Sequence, residues 1–373
     1  VNNLPTLILP ESLNYIAAFL TLECNLNCSY CINDPEQRAD RKGVFNIKNS
    51  DREDFRDELT PEEWVKALSR LPVKDDLPIT FQGGEPTMYW KGLGLGAILS
   101  GINSKADLLT NLVVPPQGFS SRLRGQIGKF KRPLPYPSIR VSYHAREMKR
   151  VWGERAFEKL VDHCVDLGSL GLHVEQDYRK SDVGIYMVDH PENSLTEEMK
   201  TYAEGKVPVL VKDFLGLHEG ELYGQYAYPY STDLVSRKIH SKTLECDCRT
   251  TELLIDPLGF VWRCHSFLYR AWEKRTVTKL LILYSKLEKV SFDYEAVQPE
   301  EENRPIGHML DPMFSIEVLE SFRPCSFYGQ CIGCDTKLKK DRFGNENSFR
   351  TSVIIKNIKW PSELRVKSFL VRS

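Results

Sequence analysis

Between residues 16 and 216 short apolar runs alternate with amphipathic helical stretches, and this alternation limits the fold more than any other feature. The runs are IAAFLTLEC (16–24), LPITFQGG (77–84), ADLLTNLVV (106–114), SIRVSYHA (138–145), LHVEQDY (172–178), VGIYMVD (183–189) and PVLVKDFLG (208–216). Strand followed by helix, repeated, predicts a parallel sheet with helices outside it, either open or curved into a barrel. Two helices can be read with their ends. TPEEWVKALSRL (60–71) opens with Thr60 as N-cap, Pro61 at the first helical position and Glu63 completing a capping box. RAFEKLVDHCVDLG (155–168) is expected to stop at Gly168.

The ten cysteines stand at 24, 28, 31, 164, 246, 248, 264, 325, 331 and 334. Without an export signal, such clusters favour metal ligation over disulfides. Cys164 stands alone on a helical pattern and reads as a small buried hydrophobe. Cys24, Cys28 and Cys31, in LECNLNCSYCIN, follow the first strand, so they occupy the loop at its C-terminal end. Parallel α/β sheets hold their ligands at that end. Three thiolates on one short loop suit three irons of a cubane and leave the fourth open. Zinc is the competing metal, although structural zinc takes four closed ligands, commonly from distant C-x2-C pairs.

After about residue 235 the pattern changes to β-rich, cysteine-bearing pieces. TELLIDPLGFVWRC reads as a hairpin turning at DPLG. The expected organisation is a large domain at 1–239, a smaller cysteine-rich domain at 240–340 and a β-rich tail at 341–373. EAVQPEEENRP (295–305) reads as a loop. With 41% apolar and 27% charged residues there is ample core material, and a net charge of −1 supplies no field toward nucleic acid or anionic lipid. The basic stretch SRLRGQIGKFKRP (121–133) reads as a solvated face. No apolar run reaches the roughly 18–20 residues that span a bilayer, and the first residues lack a signal peptide's features. A cytoplasmic protein without membrane or nucleic-acid partners is expected.

The C-x3-C-x2-C spacing, with Tyr30 before the last cysteine, resembles the signature of the radical S-adenosylmethionine (SAM) superfamily. Gly83, Gly84, Glu85 and Pro86 of FQGGEP resemble its GGEP motif. Thr110 and Asn111 stand where the family often has Thr-Asn-Gly, with Leu112 in place of the glycine. Ser142 and His144 of VSYH close the next strand. The resemblance implies a partial (β/α)6 TIM-like barrel. It also implies a [4Fe–4S] cluster on Cys24, Cys28 and Cys31, with SAM bound near Tyr30, Gly83, Gly84, Glu85, Pro86, Thr110, Asn111, Ser142 and His144. With an electron from an external donor of flavodoxin or ferredoxin type, the implied chemistry yields a 5′-deoxyadenosyl radical that abstracts a substrate hydrogen.

The later cysteines extend the resemblance. C-x10-G-x4-C from Cys248 through Gly259 to Cys264 looks like the opening of the SPASM/twitch auxiliary domains. RPIGHMLDPMF (304–314) resembles their short glycine-bearing strand, and Cys325, Cys331 and Cys334 agree in part with their ending. Cys246, Cys248, Cys264, Cys325, Cys331 and Cys334 are thus candidate ligands of at least one auxiliary [4Fe–4S] cluster; a zinc knuckle is the competing reading. His265 is a candidate catalytic base, or a donor to cluster sulfur. The implied activity is oxidative maturation of a peptide or protein; a dehydrogenase or epimerase of an aminoglycoside, sugar or nucleotide derivative is the alternative. With 23 residues before Cys24, peptide recognition is expected from a separate protein or from the barrel.

Overall fold

The computed structural model describes residues 4–11, 13–31, 58–131, 135–213, 252–262, 268 and 305–316. It also describes the backbone strands Gly216–His218, Glu221–Tyr223, Gln225–Ala227, Cys246–Arg249, Arg323–Cys325, Leu338–Asp341, Ser352–Ile354 and Leu370–Val371.

Six strands, β1 (Tyr15–Thr21), β2 (Ile79–Gly83), β3 (Ala106–Thr110), β4 (Ile139–Tyr143), β5 (Val183–Asp189) and β6 (Val209–Asp213), lie side by side in chain order, all parallel. The order never reverses, as in the wall of a β/α barrel and unlike a doubly wound sheet. On the other edge of β1 lies β7 (Glu252–Ile255), also parallel, followed by antiparallel β8 (Phe260–Trp262) and β9 (Gly307–His308). The hairpin turning at DPLG is therefore present, and its strands continue the main sheet.

Register decides which residues face the helices. Ile16, Ala18, Ile79, Phe81, Ala106, Leu108, Ile139, Val141, Val183 and Ile185 enter one apolar core. Across that core lie α1 (Pro61–Leu68), α2 (Gly94–Gly101), α3 (Pro116–Arg122), α4 (Ala145–Trp152), α5 (Ala156–Asp166) and α6 (Glu197–Ala203), contributing Trp64, Ile98, Phe119, Met148, Leu160 and Ala203 among others. Each fully buried Val, Leu, Ile, Phe or Met side chain among these contributes about 1.5–3 kcal/mol. The alternate positions carry Thr80, Gln82, Asp107, Arg140, Ser142 and Tyr186 together with Ala17, Phe19, Leu109 and Val188, so the face away from the helices mixes polar and apolar residues. There Arg140 pairs with the buried Asp107 at 3.2 Å.

The capping box at α1 is complete: Glu63 N–H donates to Thr60 Oγ1 (3.2 Å) and Thr60 N–H to Glu63 Oε2 (3.0 Å). Two expectations are corrected. Residues 172–178 form no strand. His173 N–H donates to the Asp182 carboxylate and Asp182 N–H to His173 O, both at 2.7 Å, and this folds the segment back on itself. The helix expected to end at Gly168 instead tightens after Asp166 into a 3-10 turn, Leu167–Leu170, and stops at left-handed Gly171 (φ 95°). Gly168 sits within that turn because i→i+3 bonding needs no left-handed residue there.

Buried Arg70, just beyond α1, binds two distant segments. Its Nε donates to Pro5 O (3.0 Å), Nη1 to Met309 O and Asp311 O (2.7 Å each), and Nη2 to Phe314 O (3.0 Å). Leu338–Asp341 and Arg323–Cys325 flank Cys246–Arg249 in a separate antiparallel sheet. Ser352–Ile354 pairs with both Leu370–Val371 and Gln225–Ala227. Among the described residues no helix is long and apolar enough to cross a membrane.

Candidate cysteine loop site

The loop bearing Cys24, Cys28 and Cys31 leaves the C-terminal end of β1 and is bonded directly to the end of β2. Gly84 N–H donates to Thr21 O and Glu85 N–H to Glu23 O, both at 2.7 Å. Both glycines are required by that approach. A Cβ on Gly84 would lie 2.0 Å from Glu23 O; one on Gly83, whose φ is 136°, would lie 2.2 Å from Thr21 O. The backbone these glycines admit here is that of the cysteine loop.

Glu85 is buried and accepts four hydrogen bonds. Oε1 receives Thr87 N–H (3.1 Å), Thr87 Oγ1 (2.6 Å) and Thr110 Oγ1 (2.8 Å); Oε2 receives Asn111 N–H (2.7 Å). Burial raises its pKa and these donors oppose the shift, those of Asn111 foremost. Glu85 thereby ties the end of β2 to the end of β3. Pro86, also buried, opens the 3-10 turn Pro86–Met88 that follows.

Asn111 extends the junction to the loop, with Nδ2 2.6 Å from Asn25 Oδ1 and 3.7 Å from Cys24 Sγ. Leu112, where the resemblance leads one to expect glycine, takes the left-handed conformation at φ 49° and is buried. Its own N–H donates to Thr110 Oγ1 at 3.0 Å.

On the far side, Tyr30 OH is 3.0 Å from His144 Nδ1, and its ring lies 4.3 Å from that of His190. Desolvation of the His144 ring lowers its pKa to about 4, against a smaller raising effect of Glu147. Burial raises the Tyr30 phenol well above its usual range, as do Cys28 and Cys31 when charged. Ser142 stands two residues before His144, level with Tyr186 of β5. The loop is held from outside as well. Asn27 N–H donates to Glu147 Oε2 (3.0 Å), and Ser29 Oγ donates to Glu192 Oε2 (2.8 Å). Asn193 braces both supports, accepting from Ala145 N–H and donating to Tyr143 O and Val188 O.

Glu147, Glu192, His190, Asn193 and Asn25 were not among the sequence candidates. Asn25 lies between two motif cysteines, a signal within reach of sequence reading. The others act across more than a hundred residues of chain, or from a loop with no motif of its own.

Of the three loop cysteines, Cys28 is buried and Cys24 and Cys31 are half-buried. Among the described residues no three His, Cys, Asp or Glu side chains form a group that would hold a single metal ion. The donor set, three thiols on one loop, has the chemistry of iron–sulfur ligation, in which each sulfur takes a different iron. Of the later cysteines, Cys246 lies opposite Cys325 in the antiparallel ladder, with Cys248 two residues along the same strand. Cys264, His265, Cys331 and Cys334 lie outside the described residues.

No family model matches the chain. Over 95 residues it is 34% identical to a PqqA peptide cyclase of Bradyrhizobium diazoefficiens, a stretch covering 26% of this chain and 21% of the other. The match thus spans about a fifth of that relative's length. Two crystal structures of Streptococcus suis SuiB, one bound to S-adenosylmethionine, align with 69% of this chain and 61% of theirs. Identities are 11% and 12%, and the TM-score is 0.32 in each, too low to carry an argument about fold. With its motif residues gathered at successive strand ends, and with the peptide cyclase likeness beside them, the chain resembles the radical SAM superfamily in sequence.

Proposed function

We propose that this chain is a radical SAM enzyme that modifies a peptide or protein. The observation that carries the reading is the junction at the strand ends. A three-thiol loop, a double-glycine turn and a Thr-Asn pair from three different strands are hydrogen-bonded into one unit. Cys24, Cys28 and Cys31 would hold a [4Fe–4S] cluster with one iron left for SAM. Together, when bound, they supply a 5′-deoxyadenosyl radical that takes a hydrogen atom from an unactivated carbon of the substrate.

The protein's part is to position and to shield. Gly83 and Gly84 admit the cysteine loop against β2, and Glu85 holds the three strand ends in register. Because Glu85 is occupied by four internal donors, it acts as a brace, while Tyr30, Thr110, Asn111, Ser142, His144 and the backbone at Gly83–Pro86 frame the SAM site. His144, with a pKa near 4, is neutral at physiological pH and holds the Tyr30 hydroxyl without adding charge beside the loop. The polar residues Gln82, Arg140, Ser142 and Tyr186 on the sheet face away from the helices suit a peptide, whose amides need hydrogen-bond partners once out of water. A peptide substrate is also what the name of the matched relative suggests.

The later cysteines, 246, 248, 264, 325, 331 and 334, would hold at least one auxiliary [4Fe–4S] cluster that accepts the electron left on the substrate, with His265 taking the accompanying proton. The pairing of Cys246 with Cys325 supports grouping those two. An external one-electron donor and a separate peptide-recognition protein complete the proposed partners.

The test is anaerobic reconstitution of the wild type and of a Cys24/Cys28/Cys31→Ala variant. Iron and sulfide are counted, and 5′-deoxyadenosine is measured after reduction with SAM present. The wild type should form 5′-deoxyadenosine and the variant none, while the variant keeps about four irons if one auxiliary cluster exists. A wild type that binds iron but does not cleave SAM overturns the reading. Transfer of deuterium from a labelled peptide into 5′-deoxyadenosine then tests the substrate class.

A further inference from the structure

We propose that Asn111 sets the reduction potential of the centre held by Cys24, through an N–H···S hydrogen bond from its side-chain amide to Cys24 Sγ; this rests on the reading that the cysteine loop carries an iron–sulfur cluster. The amide's orientation follows from its partners. Val113 N–H donates to Asn111 Oδ1 at 3.0 Å, so the oxygen is engaged by its own turn and the NH2 group points at the loop. From there Nδ2 reaches Asn25 Oδ1 at 2.6 Å and Cys24 Sγ at 3.7 Å. An amide has two N–H groups, one for each acceptor.

Nothing in this arrangement is left to rotate. The Asn111 backbone N–H is held by Glu85 Oε2, the next residue is fixed in the left-handed region, and the side chain is buried. Cys24 Sγ also receives Leu26 N–H at 3.4 Å. Of the donors to this sulfur, Leu26 N–H is loop backbone, which substitution does not remove, and Asn111 Nδ2 is a side chain from the end of β3, which it does.

Reduction adds negative charge shared between iron and its thiolates. A donor aimed at a ligand sulfur stabilises that charge, favours the reduced form and raises the potential. The effect is strengthened where water is excluded. A residue at the end of a neighbouring strand therefore governs how readily the centre accepts its electron, apart from any contact with SAM.

The experiment is a redox titration followed by electron paramagnetic resonance on the full chain, reconstituted anaerobically without SAM. The signal belonging to the loop is the one absent from a Cys28→Ala variant. Asn111→Leu removes the donor without adding charge. Asn111→Asp keeps an acceptor for Val113 N–H but replaces the donor with a carboxylate oxygen. Asn25→Ala removes the amide's other partner, and with it the Asn25 Oδ1 contact to Cys24 Sγ at 3.8 Å, and leaves the N–H···S bond from Asn111. Both Asn111 variants should move the midpoint to more negative potential, the aspartate further, while Asn25→Ala does not move it in that direction.

An unmoved midpoint in Asn111→Leu and Asn111→Asp at wild-type cluster content overturns the proposal. So does a negative shift in Asn25→Ala as large as that in Asn111→Leu, which would mark Asn111 as a brace for the loop only. If neither Asn111 variant holds a cluster but Asn25→Ala does, the amide is needed for assembly and not for potential, and the proposal also falls. A wild type with no Cys28-dependent signal removes the functional reading itself, whereas a signal present and unmoved removes only this inference.

Discussion

Replacing Glu85 by glutamine changes one atom in a site where all four partners donate. If the amide oxygen takes the Oε1 position, it keeps the two Thr87 bonds and that of Thr110, but the new NH2 faces Asn111 N–H across what is now 2.7 Å. If the amide is reversed, Thr110 and Thr87 hydroxyls rotate to accept, but Thr87 N–H is left facing a donor. Either way one buried backbone N–H loses its acceptor, at a cost of about 1–3 kcal/mol. Relief of the burial penalty that raises the Glu85 pKa offsets part of this. The expected result is a loss of about 1–2 kcal/mol, read as a lower urea midpoint at unchanged slope. Glu85→Ala should lose more, because both backbone donors are then orphaned and a cavity opens. A glutamine variant as stable as the wild type, or more so, would refute the bracing role, since it would mean that burying the charge costs as much as the four bonds return.

Gly84→Ala should destabilise the fold by about 2 kcal/mol or more, because its Cβ would meet the Glu23 carbonyl at 2.0 Å, and it should reduce iron bound on reconstitution. Gly128→Ala, with nothing within 4 Å of its Cβ, is the control and should leave the melting temperature within about 2 °C of wild type. Arg70→Lys retains the charge but has no planar fork to reach four carbonyls, so a loss of about 2–4 kcal/mol in urea unfolding is expected. Asp256 caps the β7–β8 turn, accepting from Leu258 N–H, Phe260 N–H and Trp262 Nε1–H, while burial lifts its pKa to about 7. The folded state therefore favours its protonated form. Its contribution is full below the ordinary carboxylate pKa and declines as pH rises to about 7, by at most about 4 kcal/mol. Urea midpoints at pH 5 and pH 8 should differ less in Asp256→Asn than in the wild type; equal differences would count against a raised pKa.

Sequence reading reached the strands β1 to β6, the α1 capping box, the β7–β8 turn and the motif residues at the strand ends, because each depends on neighbours a few residues away. Alternation of apolar residues decides a strand, and a Thr-x-x-Glu spacing decides a cap. It failed at 172–178, where a strand-like run is turned back by the carboxylate of Asp182, and at Gly168, where the helix tightened instead of stopping. Local composition alone determined that this chain is an α/β protein with a three-thiol loop at the end of its first strand.

Only the tertiary structure decided that β1 to β6 run in unreversed order, that Thr80, Gln82, Asp107, Arg140, Ser142 and Tyr186 share the sheet face away from the helices, and that Glu85, Asn111, Glu147 and Glu192 converge on that loop. Those bonds join residues up to 163 positions apart, as Ser29 and Glu192 are. A hydrogen bond requires its partners within about 3 Å, and what brings such distant groups together is the order of the strands and the register between them, which no short window of sequence contains.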